Sequence, residues 1–152
     1  MQNISDFKKS DSQKKYVTDC FSSEIVLEPF FLLIKPKIEF YKNSISLAYV
    51  ERQIENLMKE GFLNIEISWA NNENWFNYVS NLKLKYPKLN LGSASIINKK
   101  SIDESIRIGL NYSMMKVWNK DLLDYSNSKK HLLIPGIKNL KDLEEAIDLN
   151  CK

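Results

Sequence analysis

The sequence predicts an α/β fold with a parallel sheet, closed in the manner of a (β/α)8 barrel. Two observations set the class. Short apolar runs alternate with amphipathic stretches of helical period, and the links between them are short. Repeated βα wiring of this kind gives parallel strands with right-handed crossovers. Periodicity alone does not separate an open doubly wound sheet from a barrel. A third observation favours the barrel: no G-x-G-x-x-G or P-loop follows the first strand, where open nucleotide-binding sheets usually carry one.

Residues 1–28 form a separate N-terminal extension. Ser5–Cys20 is polar and lysine-rich and reads as a frayed helix or a loose arm. The rhythm begins at Pro29. FFLLI, Phe30–Ile34, is a buried-strand run. Leu47, Val50, Ile54, Leu57 and Met58 then recur at helical spacing, with Ser46 as the expected cap and Gly61 past the end. LNIEISW, Leu63–Trp69, is the second strand. Asn71 or Asn72 caps the next helix, whose inner face is Trp75, Phe76, Val79 and Leu82, and Pro87 stops it. Leu89–Ile97 is a third strand with small residues at its centre. Ser101 and Glu104 have capping-box spacing and start a helix ended by Gly109. Tyr112–Val117 is a fourth strand, followed by a short helix near Leu122 and Tyr125. His131–Ile134 is a fifth strand closed by Pro135-Gly136. Asn139 caps a last helix with Leu140, Leu143, Ala146 and Ile147 expected inside.

Composition narrows the function classes. The 152 residues are 43% hydrophobic and 27% charged, which suits one domain with a real core. No apolar run approaches the roughly 20 residues of a membrane span, and the start of the chain has no signal-peptide core. Net charge is +3, almost all of it lysine; Arg52 and Arg107 are the only arginines. Nucleic-acid surfaces favour arginine for bidentate contacts, so a nucleic-acid partner is not expected. Cys20 and Cys151 have no metal-ligand spacing, and His131 is the only histidine. A reduced, cytoplasmic protein with no metal and no cofactor is the expectation.

Glu66 is the odd residue in an apolar strand. Its structural reading is a carboxylate paired with a lysine inside a layered core. Its functional reading is a general acid/base tuned by partial desolvation and a neighbouring cation. Lys35 follows the first strand, as a solvated strand end or as an anchor for a carboxylate or phosphate. Gly92–Ser95 (GSAS) offers close backbone approach and the Ser95 hydroxyl, or simply tight packing. His131 reads as a strand-start residue. The tips of the strands, where barrel enzymes place their chemistry, hold Lys35, Glu66 to Ser68, Ser93 to Ser95, Lys116 and Pro135-Gly136.

Taken in order, FLLIK, LNIEISW, LGSASII, LLIPGI with its following helix, and AIDLNCK resemble the 2-keto-3-deoxy-6-phosphogluconate (KDPG) aldolase family. That family includes 4-hydroxy-2-oxoglutarate aldolase, and the pattern is similar to its cyanobacterial-like branch. The resemblance covers about Pro29 to Lys152. It implies a (β/α)8 barrel behind an N-terminal helix, of which this chain carries about five βα units. It also implies class I aldolase chemistry. A lysine on the sixth strand forms a Schiff base with pyruvate, a glutamate on the second strand moves protons, and no metal takes part. The products are pyruvate and an aldehyde, and the family is commonly homotrimeric.

Glu66 matches the family's catalytic glutamate. Lys35 falls where an arginine usually stands, Ser95 on a substrate-contacting threonine in the segment that includes Gly92, and Pro135 and Gly136 on the P-G after strand five. Ala70 stands where the family often has a carboxylate-binding arginine, so that arginine is absent from its place here. Met115-Lys116 replaces a Ser-Pro, which makes Lys116 a candidate substrate contact or a relocated imine lysine. The Schiff-base lysine of the pattern would fall just past Lys152. The expectation is therefore a truncated barrel, inactive alone, that needs the missing segment or a partner. The alternative is a non-enzymatic remnant or interaction protein of the same fold. The resemblance leaves open a phosphorylated or an unphosphorylated substrate, since phosphate is bound after strands seven and eight.

Overall fold

The computed structural model describes residues 32–149. The expectations for the 1–28 extension, for Phe30 and Phe31, and for Cys151 and Lys152 lie outside those residues. Within them, strands and helices alternate: β1 (Leu32–Ile34), α1 (Ser44–Lys59), β2 (Asn64–Ser68), α2 (Glu73–Lys85), β3 (Asn90–Ile96), α3 (Lys99–Ile108), β4 (Tyr112–Met115), α4 (Lys120–Ser128), β5 (Leu133–Ile134) and α5 (Leu140–Asp148). A 3-10 turn, Ile38–Lys42, precedes α1. All five strands are parallel and stand in chain order, β1-β2-β3-β4-β5. Among the described residues the sheet is open, with β1 and β5 as its edges. No described helix is long and apolar enough to cross a membrane.

The pleat sorts the strand residues onto two faces. One face meets the helices. Ile65, Ile67 and Leu91 pack there with Val50 and Ile54 of α1 and with Trp75, Val79 and Leu82 of α2. Ile96, Met115 and Leu133 pack with Ile102 of α3 and with Leu122 and Leu123 of α4. The other face carries Asn64, Glu66, Gly92 and Tyr112, which is why β2 is buried yet alternates apolar with polar. Between Ser93 and Ile96 the register slips. Ser95 sits there in left-handed backbone, φ 62°. This extra residue returns Ile96 to the helix side.

Every one of the five described α-helices is capped by an asparagine: Asn43, Asn72, Asn98, Asn119 and Asn139. Two expected caps are thereby corrected. Asn43, not Ser46, caps α1; its Oδ1 accepts from the Ile45 and Ser46 N–H groups at 2.9 and 3.4 Å. The capping box of α3 joins Asn98 to Ser101, so Ser101 is the third helical residue and not the cap. Glu104 turns away from the helix end and accepts from the Trp69 indole at 2.7 Å. Phe76 on α2 is only half buried, and Tyr78 takes its expected place in the core.

The last helix departs furthest from expectation. Ala146 is buried, but Leu140 and Ile147 are 69% and 63% exposed and Leu143 is exposed as well. The helical period marks which residues form an apolar stripe. No described element lies over that stripe to bury it.

Candidate functional site

The site grows from one row of the sheet. Register places Glu66 of β2 beside Gly92 of β3, and Gly92 beside Tyr112 of β4. Residues in one row of a pleated sheet project from the same face. A Cβ on Gly92 would lie 2.4 to 2.9 Å from atoms of the Tyr112 ring. The ring therefore lies across the glycine and towards the carboxylate. The close approach expected at Gly92 is made by the chain's own Tyr112.

Glu66 is 2% exposed. Burial raises its carboxyl to about 7, because the charged form loses water, while hydrogen bonding by the Tyr112 phenol pulls the other way. Oε1 is buried and has no hydrogen-bond partner among the described residues, and the hydrogen bond felt by the carboxyl is that of the Tyr112 phenol. Burial and Tyr112 account for the shift, and no lysine contributes to it. Among the described residues no lysine pairs with Glu66. Lys35 and Lys116 are exposed at the strand tips, where no strand pleat directs them at Glu66.

The tips of β2 and β3 meet through side chains. Ser68 Oγ donates to Ser95 Oγ at 3.0 Å. The left-handed backbone at Ser95 costs about 1–3 kcal/mol for a residue with a Cβ, and it directs this hydroxyl to its neighbour. The Trp75 indole donates to Ser68 O at 3.0 Å and fixes the end of β2 against α2. Further round the sheet, a Cβ on Gly136 would lie 2.3 Å from Met115 O. Pro135-Gly136 therefore wedges the end of β5 against the backbone leading to Lys116. The structure joins Ser68 with Ser95 and Gly136 with Met115-Lys116; it leaves Lys35 apart from both.

His131 holds the helix-facing side of the sheet. Ser105 Oγ donates to Ser101 O at 2.7 Å, which uses its single proton. Ser105 must then accept from Ser93 at 2.7 Å, Ser93 from Ser113 at 2.8 Å, and Ser113 from His131 Nε2 at 2.8 Å. Burial lowers the His131 pKa, so the ring is a neutral structural donor.

Tyr112 was not singled out as a site residue by the sequence, and Ser68 was named only as one of the strand-tip residues. Each acts across strands, and that neighbourhood exists only once register is set. Gly92 was the available signal: a glycine at a strand centre marks a close approach. Among the described residues no group of three or more His, Cys, Asp or Glu could hold a metal.

No family model and no curated protein matches the chain. Solved structures do. The KDPG aldolase of Zymomonas mobilis ZM4 with 3-phosphoglycerate superposes with a TM-score of 0.67 at 20% identity, over 81% of this chain and 54% of that one. The KDPG aldolase of Legionella pneumophila, with pyruvate captured as a covalent carbinolamine, gives 0.59 at 18%, over 78% and 52%. This chain spans about half the length of the structures it matches. At these identities the likeness establishes the fold, a partial barrel of the KDPG aldolase type.

Proposed function

We propose that this half-barrel supplies the proton-transfer side of a class I aldolase site that works on pyruvate and a small keto acid or aldehyde. The observation that carries the reading is Glu66: a buried carboxyl at about 7 on the second strand's inner face. A group poised near neutrality both gives and takes a proton, as imine chemistry demands at carbinolamine dehydration and at enamine protonation. In the same reading, the Ser68–Ser95 hydroxyls hydrogen-bond a substrate oxygen. Lys35 and Lys116 attract its carboxylate or phosphate, and Pro135-Gly136 shapes the wall. Gly92 serves by seating Tyr112. Turnover on this reading needs an imine-forming lysine, on a further barrel strand or, in the second form of the idea, at Lys116.

The test is borohydride trapping of the full-length native protein with pyruvate, followed by peptide mass spectrometry. A pyruvyl adduct on one lysine is expected, and Glu66→Gln should slow its formation by roughly 10²–10⁴-fold. Absence of an adduct on any lysine overturns the reading. Loss of the adduct on Lys116→Met would assign the imine to Lys116.

A second reading, an interaction protein of the same fold without chemistry, is favoured by the exposed stripe on α5 and by the open sheet edges. Light scattering on the full-length protein separates the two where trapping fails. An oligomer without an adduct supports interaction, and a monomer without one removes both.

A further inference from the structure

We propose that Tyr112 is a positioning residue that aims and tethers the Glu66 carboxyl across the row Glu66–Gly92–Tyr112. As a contribution to catalysis this rests on the proton-transfer reading above; as a contact it stands on the sheet geometry.

Three observations carry it. Register aligns the three residues on one face of three successive strands. Gly92 lacks the Cβ that would otherwise displace the Tyr112 ring, since any Cβ would fall within 2.9 Å of three ring atoms. Tyr112 is fully buried, and so is Glu66 apart from 2% of its surface. A phenylalanine ring would fill the same space. The hydroxyl adds nothing to packing and is costly to bury unless it meets an acceptor. The acceptor in this row is the carboxylate.

The chemistry of the pair supports the same conclusion. Burial, followed by the Glu66 charge and hydrogen bond, pushes the phenol's ionisation upward, so Tyr112 remains a donor across the physiological range. A donor favours the ionised carboxylate, whereas burial favours the neutral acid. The two influences oppose each other, and Glu66 rests near neutrality. Without the phenol, burial acts alone. The carboxyl would then hold its proton more firmly at neutral pH. A purely structural tyrosine would have no such effect.

The experiment is a carbon-13 NMR titration of the Glu66 side-chain carboxyl in the full-length protein and in Tyr112→Phe. The substitution should raise the midpoint by about one pH unit, a tenfold gain in proton affinity. An unchanged or lowered midpoint overturns the proposal. A measurement on the unsubstituted protein covers failure of the variant to fold. The Tyr112 phenol carbon should shift with the same midpoint as Glu66, and no inflection there overturns the proposal equally. Pyruvate trapping is read in parallel. Coupled titrations without an imine retain the positioning role and remove the aldolase reading; an imine with uncoupled titrations does the reverse.

Discussion

Two glycines make the sharpest claims at the scale of single residues, and they differ in what resists them. A Cβ on Gly92 meets the Tyr112 ring, a side chain that can tilt. A Cβ on Gly136 meets the carbonyl oxygen of Met115, which is backbone and cannot. Gly92→Ala should therefore cost about 1–3 kcal/mol in urea unfolding, the usual range for overpacking. Gly136→Ala should cost more than Gly92→Ala; an equal or smaller loss would mean that the β5 tip yields easily. On the other face, donor bookkeeping from Ser101 O back to His131 fixes the tautomer. The imidazole proton belongs on Nε2. Nitrogen-15 NMR reads it directly, and an Nδ1–H form would break the chain of donors. Glu66 was legible in the sequence as an acid among apolar neighbours. Its environment was not: a lone strand does not reveal that burial and a tyrosine two strands away, rather than a lysine, set its proton affinity.

The elements were the most legible feature, because two periods distinguish them. Apolar residues alternating in β2 and recurring every three or four positions in α1 and α2 require different backbones. Their ends were harder to read. Ser46 and Ser101 are good cap residues by type, yet Asn43 and Asn98 lie nearby and take the caps. Asn98→Ala should lower stability by ~1 kcal/mol, because it also dissolves the box with Ser101. The stripe on α5 gives the contrasting case. Ile147→Lys should change the stability of the isolated chain by less than about 0.5 kcal/mol, as exposed positions do. A larger loss in the same denaturation series would show that the stripe is covered in solution. Periodicity identified the stripe correctly and could not identify what lies over it.

Across the whole molecule, two buried titrations act against each other. Glu66 is raised from 4.5 to about 7, so folding favours its proton. Its contribution is fully present below 4.5 and is lost as pH rises towards 7. His131 is lowered from 6.5, so folding disfavours its proton, and stability is lost as pH falls below 6.5. Where the two titrations overlap below pH 6.5 their slopes oppose each other. Glu66→Gln removes one slope. It should stabilise the protein at pH 8 by on the order of 3 kcal/mol, have little effect near pH 4, and leave stability rising with pH towards 6.5. Thermal melts across that range check it, and destabilisation at pH 8 would argue that a cation pairs with Glu66 after all.

Strand order equal to chain order has a further consequence, for synthesis. Each described strand after β1 pairs with the one made just before it, so this part of the sheet can extend as the polypeptide leaves the ribosome. The Glu66–Gly92–Tyr112 row is complete once β4 has emerged. A ribosome-arrested nascent chain ending beyond α4 should already shield Glu66 and resist protease, whereas one arrested before β4 should leave the carboxylate exposed and be cleaved.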